Sequence, residues 1–296
     1  MTTKTEHKAP LIVAFVTDLM FTTKIANVAN HLGYQVEWIE KAADLGEIDP
    51  DAPPELPGEL LHGREGRLFQ QLAKWQPALL LFDLNNKQVP WEPWIIALKS
   101  SPATRRMPIL CFGPHEDVAT MQRAKAIGAD AVVARSRFTA GMPDLLQQYA
   151  RIPDYAAFAE TCQEPLPALV IEGIELFNEG EYYRCHDSLE EAWMNEAGPV
   201  RDLYRAILQV GIAYYQIERG NYRGALKLLL RVQQWLAPLP GQCRGVNVAG
   251  LRQNVRAVHD ALVELGPERL DELDRRLFRP VEYTRNRPAP GDGRPA

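Results

Sequence analysis

The sequence predicts an α/β domain followed by an all-α domain, and three observations carry this prediction. The chain has 296 residues, more than the roughly 250 that one hydrophobic core usually serves. Up to Tyr149, short β-branched or apolar runs alternate with amphipathic segments, as in βα units on a parallel sheet. From Leu166 onward, apolar residues recur at helical spacing and no strand pattern is present.

Five apolar runs are the predicted strands, and five amphipathic segments between them are the predicted helices. The strands are Leu11 to Val16, Gln35 to Ile39, Ala78 to Phe82, Ile109 to Phe112 and Ala131 to Ala134. The helices are Thr22 to Leu32, Gly66 to Trp75, Glu92 to Leu98, Val118 to Ile127 and Pro143 to Tyr149. Together they predict a small five-stranded, doubly wound sheet. Asp44 to Arg64 carries several proline and glycine turn signals, so it is predicted to be an extended surface loop.

The domain boundary is predicted where the strand pattern stops and Pro165 and Pro167 precede a new helix. We therefore expect an α/β domain over residues 1–151, a linker over 152–165 and a helical bundle over 166–278. Residues 279–296 are rich in proline and glycine and lack an apolar pattern. A segment of that composition cannot bury enough surface to offset its ordering entropy, so a disordered tail is predicted.

A short sequence echo occurs twice in the helical part. Glu179-Gly180-Glu181-Tyr182 and Arg219-Gly220-Asn221-Tyr222 each precede an amphipathic run that ends near a tryptophan, Trp193 or Trp235. A glycine between two helices is typical of an αα-turn, because it adopts the left-handed conformation that ends the first helix. The echo therefore predicts two helical hairpins.

Composition narrows the functional classes. Hydrophobic residues make up 46% and charged residues 24% of the chain, which is close to the globular average and predicts a folded protein. The formal net charge is -5 and no block of Lys and Arg occurs, so a nucleic-acid partner is not expected. Residues 1–10 are polar and every apolar run is too short to span a bilayer. We therefore expect a cytoplasmic protein with no membrane partner.

The four cysteines show no CxxC spacing; they are Cys111, Cys162, Cys185 and Cys243. Scattered cysteines argue against both a zinc cluster and a disulfide framework. We expect ordinary thiols in a reducing compartment.

The order of motifs in the first half carries a family resemblance. Ala78-Leu-Leu-Leu-Phe-Asp83-Leu is followed by Ser101-Pro-Ala-Thr-Arg, by Met107-Pro-Ile-Leu, and by a segment from Ala124 that ends Ile-Gly-Ala-Asp130. From Leu11 to Tyr149 this order resembles the receiver domain of two-component response regulators, a flavodoxin-like fold. The resemblance implies that Asp83 is the phospho-acceptor at the end of the third strand.

Three parts of the family's phosphorylation machinery are altered in this chain. The acidic pair after the first strand reads Thr17-Asp18, so Asp18 and Asp83 alone remain as Mg²⁺ ligands. The expected Ser or Thr after the fourth strand is replaced by Phe112-Gly113-Pro114, and the family's Lys-Pro by Arg135-Ser136. Phosphoryl transfer needs metal, positive and hydroxyl groups together. Two interpretations stay open: Asp83 is still phosphorylated with Mg²⁺, or the domain is a degenerate receiver used for docking. No other cofactor is expected.

A polar helix face is the second candidate site. His186, Glu190 and Trp193 follow at i, i+4 and i+7, and so share one face of a helix. Arg205 and Gln209 lie one turn apart on the predicted facing helix. These four polar residues are candidates for general acid/base catalysis, metal binding or ligand binding. The alternative is a satisfied structural network between two helices.

The same stretch resembles a bacterial helical family known only as domain of unknown function three-zero-nine. Its motifs read here as His186-Asp187 with Glu190 and Trp193, then Ile207-Leu208-Gln209, then Gly220-Asn221-Tyr222-Arg223-Gly224-Ala225. The resemblance covers about 166–239, and Asp187 and Ala206 depart from the family pattern. It implies a helical fold and no particular activity.

Two functions follow from these observations. The first is a signalling or scaffold protein in which a degenerate receiver and a helical domain contact a protein partner, with Tyr182, Trp193 and Tyr215 as candidate contact residues. Two helical hairpins are fewer than the roughly three that a tetratricopeptide-type array needs. The second is an enzyme, or a small-ligand or metal-binding protein, that uses the His186, Glu190, Arg205 and Gln209 face. The sequence does not indicate an oligomeric state.

Overall fold

The computed structural model describes residues 9–45 and 63–284. Most of the loop predicted over Asp44 to Arg64 lies outside these described residues. The chain divides into two compact units, and the boundary between them lies between Ile152 and Pro153.

The first unit contains a five-stranded sheet in which every pairing is parallel. Its strands are β1 (Leu11–Phe15), β2 (Gln35–Trp38), β3 (Leu79–Asp83), β4 (Ile109–Gly113) and β5 (Ala131–Ala134). Their order is β2-β1-β3-β4-β5, which is the doubly wound order of flavodoxin-like folds. The predicted fold class is confirmed, and no strand boundary differs from its prediction by more than one residue.

In residues 9–45 and 63–152, six α-helices accompany the sheet, one more than the sequence predicts. They are α1 (Leu19–His31), α2 (Gly63–Trp75), α3 (Trp91–Ser100), α4 (Val118–Ala126), α5 (Arg135–Ala140) and α6 (Met142–Tyr149). Helix α5 has six residues, of which only Phe138 is buried. A segment of that length is too short to show an apolar period, which is why the sequence does not reveal it.

The sheet is covered on both faces. Strands β3 and β4 are buried at every position, as expected where helices lie on both sides of a parallel sheet. On one face Phe15 stacks on Phe82 at 4.1 Å between ring centroids, and on the other Phe112 stacks on Phe138 at 4.3 Å. The carboxyl ends of β3, β4 and β5 consequently meet at one edge of the sheet.

As far as residue 284, the second unit contains six α-helices, two short 3-10 helices (Pro267–Glu272 and Arg275–Leu277) and one short hairpin. The helices are α7 (Tyr155–Thr161), α8 (Ala168–Asn178), α9 (Cys185–Asn195), α10 (Arg201–Glu218), α11 (Tyr222–Leu236) and α12 (Val248–Leu265). Helix α10 packs against both α9 and α11. Helix α7 lies inside the predicted linker, so part of that segment is helical instead. Strands β6 (Gln242–Cys243) and β7 (Val246–Asn247) correct the prediction that no strand follows Leu166.

Close helix contacts in this unit depend on two glycines. A Cβ atom added to Gly173 on α8 would lie 2.5 Å from Leu189 Cγ on α9. One added to Gly211 on α10 would lie 2.8 Å from Cys185 Sγ on α9. The two turns of the sequence echo are also formed by glycine, since Gly180 and Gly220 have φ values of 85° and 73°.

The prediction of four ordinary thiols is wrong for two cysteines. Cys162 and Cys243 form a disulfide across 81 residues, whereas Cys111 and Cys185 are free and buried. The partners lie in the segment after α7 and in the β6–β7 hairpin, which no local spacing rule connects. Sequence spacing reveals disulfides in small cysteine-rich frameworks, and this pair is brought together only by tertiary folding.

A buried arginine connects the same two segments that the disulfide joins. Arg244, in the turn of the β6–β7 hairpin, is only 4% exposed. Its side chain donates to the Thr161 carbonyl at 3.0 Å and to the Tyr204 hydroxyl, and it pairs with Glu196 at 3.0 Å. It also pairs with Glu164. Buried charge is tolerated where it is paired and hydrogen-bonded in this way.

The predicted disordered tail begins too early. Residues 279–284 pack on the helical unit, where Val281 is buried and Tyr283 forms a β-bridge with Val246. The Val281 N–H donates to Asn178 Oδ1 at 2.7 Å, and the Tyr283 hydroxyl donates to Glu175 Oε1 at 3.0 Å. Residues 285–296, the rest of the predicted tail, lie outside the described residues.

Candidate functional sites

The carboxyl edge of the sheet holds Asp83 in an ion pair. Asp83 ends β3 and is 2% exposed. Its Oδ2 atom lies 2.5 Å from Arg135 Nη2, and its Oδ1 atom accepts a hydrogen bond from the Asn85 N–H at 3.0 Å. Arg135 follows β5 directly as the first residue of α5. The sheet order therefore brings these two residues together across β4.

Burial raises the pKa of the Asp83 carboxyl group above its ordinary value. The Asn85 N–H and the Arg135 guanidinium act in the opposite direction, and the nearby Asp18 carboxylate adds to the increase. Desolvation is the largest of these effects. The ion pair thus offsets part of the free-energy cost of burying a charged Asp83 carboxylate.

Asp18, the second predicted Mg²⁺ ligand, caps a helix and also approaches Arg135. Its Oδ1 atom caps α1 by accepting from the Met20 N–H at 3.0 Å and the Phe21 N–H at 3.4 Å. Its Oδ2 atom lies 3.8 Å from Arg135 Nη1. Both predicted ligands therefore face the same guanidinium. Within residues 9–45 and 63–284, no group of three or more His, Cys, Asp or Glu residues is placed to hold a metal ion.

The end of β4 is tightly packed. Gly113 pairs in register with Ala134, next to the Asp83–Phe112 pair. A Cβ atom added at Gly113 would lie 3.3 Å from Leu84 Cβ. A serine or threonine at this position would therefore need Leu84 to shift by a few tenths of an ångström.

In the helical unit, His186 and Glu190, two of the four predicted polar residues, lie close together on α9. His186 Nδ1 lies 3.4 Å from Asp187 Oδ1 and 3.8 Å from Glu190 Oε2, and Glu190 is 43% exposed. A separation of 3.8 Å is too long for a hydrogen bond. His186 and Glu190 thus form a loose surface pair on α9.

Arg205 lies between two tryptophan rings. Its Cζ atom is 4.7 Å from the ring centroid of Trp193 on α9 and 4.3 Å from that of Trp235 on α11. Arg201 lies 5.4 Å from the Trp193 ring and Arg231 lies 5.1 Å from the Trp235 ring. We call these five residues the arginine–tryptophan stack. Guanidinium groups at these distances interact favourably with the ring faces.

Gln209 follows Arg205 by one turn of α10. Its Oε1 atom is buried and accepts no hydrogen bond from any of the described residues. The indole Nε1 atoms of Trp193 and Trp235 are likewise buried and lack an acceptor within the described part of the chain. The expectation of a satisfied network therefore fails for Gln209.

Sequence reasoning named Arg205, Gln209 and Trp193 but missed Arg201 and Arg231. Both could have been found from their spacing, because residues four apart share one face of a helix. Arg201 precedes Arg205 by four residues, and Arg231 precedes Trp235 by four. Trp235 was noted in the sequence only as the tryptophan near the end of the second echoed run.

The predicted aromatic contact residues have different ring neighbours. Tyr182 packs edge-on against Tyr214, with 5.3 Å between centroids, and burial raises its pKa. Tyr215 packs against Tyr183 at 5.2 Å. Trp193 belongs to the arginine–tryptophan stack. Their role as partner contacts stays a prediction.

Among the described helices, none combines the length and the apolar character that a bilayer crossing requires.

Comparison with known proteins gives matches to both halves of the chain. The family described as "Domain of unknown function (DUF309)" matches residues 170–228, which include Trp193, Arg205 and Gln209. An uncharacterized protein of Aquifex aeolicus is 26% identical over 91 residues, which are 30% of this chain. The alignment spans only 27% of that relative's length.

Solved structures that are similar to the first half of the chain include response regulators. The phosphorylated cyanobacterial phytochrome response regulator RcpA is 11% identical with a TM-score of 0.36, over 48% of this chain and 94% of that one. The chemotaxis response regulator CheY4 of Vibrio cholerae is 16% identical with a TM-score of 0.35, over 47% and 98%. A receiver domain from Rhodospirillum rubrum is 20% identical with a TM-score of 0.35, over 46% and 89%. These TM-scores are low, so the fold assignment rests on the strand order described above.

Proposed function

We propose that this chain is a regulatory or scaffold protein whose α/β unit is a pseudo-receiver that acts through protein contacts instead of phosphoryl transfer. The observation that carries the proposal is the Asp83–Arg135 ion pair at 2.5 Å. In doubly wound sheets the carboxyl edge is where ligands bind. Here that edge is filled by the chain's own guanidinium.

The chemistry of the edge supports this proposal. An acceptor carboxylate must attack phosphorus, and the transferring oxygens need a metal and a hydroxyl or cationic partner. Arg135 already pairs with Asp83 and approaches Asp18, the two carboxylates that would hold Mg²⁺. Gly113 supplies no hydroxyl. If the site does act as a phosphorylation site, Mg²⁺ is the cofactor it would need.

The partner we propose is another protein, and the compartment is the cytoplasm. The Cys162–Cys243 disulfide is an observation against a cytoplasmic location, because reducing compartments disfavour disulfides. The redox state of this pair in cells therefore tests the proposed location directly.

The function is tested with the full chain, acetyl phosphate and Mg²⁺, followed by intact mass. We expect wild type to keep its mass. Arg135→Lys restores a compact ammonium that leaves more of the Asp83 carboxylate exposed, and any gain of a phosphoryl group in that variant should vanish in Arg135→Lys/Asp83→Asn. A stable phosphoryl adduct on wild type that Asp83→Asn removes would contradict the proposal.

A second candidate function is small-ligand binding by the helical unit. It is favoured by the buried Oε1 atom of Gln209, which accepts no hydrogen bond from the described residues. The His186 and Glu190 part of the predicted face gains no such support, because that pair is loose and half-exposed.

A further inference from the structure

Residues 278–284, which we call the strap, form an extended segment whose main chain is bound by distant parts of the helical unit. Asn178, the last residue of α8, donates from Nδ2 to the Val281 carbonyl at 3.1 Å. Its Oδ1 atom accepts from the Val281 N–H at 2.7 Å. One amide side chain therefore pairs with both main-chain polar groups of Val281. These two bonds do not depend on the side chain that the strap carries at this position.

The strap also pairs with the β6–β7 hairpin. Tyr283 forms an antiparallel β-bridge with Val246, and the Thr284 N–H donates to the Gly245 carbonyl at 3.0 Å. A Cβ atom added at Gly245 would lie 2.5 Å from the Thr284 carbonyl oxygen, so this close approach requires glycine. The strap thus extends the hairpin by one chain. Many domains bind peptides by this addition of a strand to a sheet edge.

The side chains of the strap fill an aromatic pocket. The Phe278 ring stacks on Tyr214 with 4.1 Å between centroids and meets Tyr182 edge-on at 5.9 Å. Beneath the strap the Tyr214 side chain is fully buried, and Val281 is 2% exposed. The Tyr283 hydroxyl donates to Glu175 Oε1 at 3.0 Å. In sites of this kind the main-chain bonds give affinity and the side-chain pockets give specificity.

The strap has few buried anchors. Of its seven residues only Val281 is buried, Phe278 and Tyr283 are half-buried, and the other four are exposed. Segments with few buried apolar contacts open at a lower free energy than core helices. Opening would expose the Tyr214 ring to water, which is unfavourable. The open groove therefore favours another segment with the same pattern of side chains over water.

We propose that the groove beneath the strap is a docking site for an extended segment of a partner protein, and that the strap is an internal competitor for it. The partner segment has the side-chain pattern of the strap. It carries an aromatic residue, an aliphatic residue three positions later and a tyrosine two positions after that. The site lies in the helical unit and does not depend on the proposed role of the α/β unit.

The test is fluorescence polarisation with the full chain and a fluorescein-labelled peptide that has the sequence of residues 275–284. An opened variant, Phe278→Ala/Val281→Asp, removes the ring from the strap and places a carboxylate at its buried position. An internal competitor acts at an effective concentration on the order of millimolar. We therefore expect the peptide to bind the opened variant about tenfold more tightly than wild type, or better. A peptide that carries the same two substitutions should bind neither protein.

Two further variants connect binding to the groove. Adding Asn178→Ala to the opened variant removes two hydrogen bonds to the peptide main chain and should weaken binding about tenfold. Asn195→Ala is the matched control, because Asn195 ends α9 as Asn178 ends α8 and both are exposed. Circular dichroism checks that each variant is folded. Phe278→Ala alone replaces the opened variant if the double substitution prevents folding.

The proposal is overturned if the peptide does not bind the folded opened variant, or binds it no more tightly than wild type. Binding that Asn178→Ala leaves unchanged would also count against the groove. Sedimentation velocity tests a different occupant. A wild-type dimer that forms with rising concentration, and that the opened variant lacks, would assign the groove to the strap of a second copy and so contradict a separate partner.

Discussion

Arg135 in the α/β unit and Arg205 in the helical unit are both half-buried arginines, but their described neighbours differ. Arg135 meets a buried carboxylate at 2.5 Å, with a second carboxylate at 3.8 Å. Arg205 lies between two indole rings, both within 5 Å of its Cζ atom. An ion pair therefore marks the first arginine, and contact with two aromatic faces marks the second.

The ion pair limits what the edge of the sheet can do. It occupies the Asp83 carboxylate, so that group is not free to accept a phosphoryl group or to bind a metal ion. Aromatic faces stabilise a guanidinium without removing its charge. We therefore propose protein contacts for the first region, and four measurements can break or sharpen the comparison of the two arginines.

The largest effect is expected from the disulfide, which only the helical unit contains. Replacing both Cys162 and Cys243 by serine should lower the free energy of unfolding of that unit by about 4 kcal/mol, because the bond restricts a long loop in the unfolded chain. Urea denaturation with and without reductant measures it. The α/β unit, whose Cys111 is a free thiol, should not respond. A reductant effect of equal size in the double-serine variant would show that another group is responsible.

Arg135→Ala should destabilise the α/β unit by about 2–3 kcal/mol at neutral pH, because it leaves the Asp83 carboxylate buried without its partner. Arg137→Ala is the matched control, since Arg137 is exposed on the same helix. Adding Asp83→Asn to Arg135→Ala should recover much of the loss, as a double-mutant cycle in urea would show. Equal stability of the two arginine variants would mean that the ion pair contributes nothing measurable.

Arg205→Met should destabilise the helical unit by about 1–2 kcal/mol, because methionine keeps the apolar stem but loses the interaction with two rings. Arg201→Met loses one, more distant, ring contact at 5.4 Å and should cost less than about 1 kcal/mol. Thermal and urea unfolding compare the two variants. Equal effects of the two substitutions would mean that the second ring contact of Arg205 does not contribute measurably to stability.

The smallest effect is the pH dependence from Asp83. Its folded-state pKa is raised by burial, so the folded protein holds this proton more tightly than the unfolded chain does. The stability of wild type relative to Asp83→Asn should therefore fall as pH rises from the ordinary aspartate pKa through the folded-state value, and should stay level above it. The change is about 1.4 kcal/mol for each unit of pKa difference. Urea denaturation at a series of pH values measures it, and a relative stability that rises with pH would show that Arg135 outweighs burial.

Much of the α/β unit is visible in its sequence because the signals there are local. Each strand is a short apolar run between turn residues, and the position of Asp83 after β3 follows from its run. The boundaries of α1 show the limit of such reasoning. Asp18 caps the helix so that it begins at Leu19, ahead of the predicted Thr22, and the same residue had been considered only as a metal ligand.

The helical unit shows the opposite balance. The echo around Gly180 and Gly220 predicts its turns, but the residues that meet between helices are far apart in sequence. Arg205 lies between rings from α9 and α11, and Cys162 meets Cys243 from the hairpin. The packing of residues 279–284 depends on Asn178, about a hundred positions earlier. Composition alone predicts disorder for that segment because the partner that orders it is not local.

The amino-acid sequence by itself determined the positions of the five strands of the sheet, the positions of most helices and the loss of the hydroxyl and lysine at the sheet edge, because these depend on residue type and short-range periodicity. Only the tertiary structure decided the order of the strands, that Arg135 pairs with Asp83, that two of four cysteines are joined, and that Arg205 lies between two tryptophan rings. Those outcomes depend on distances between residues on different helices and strands, and such distances are set by how the whole core packs.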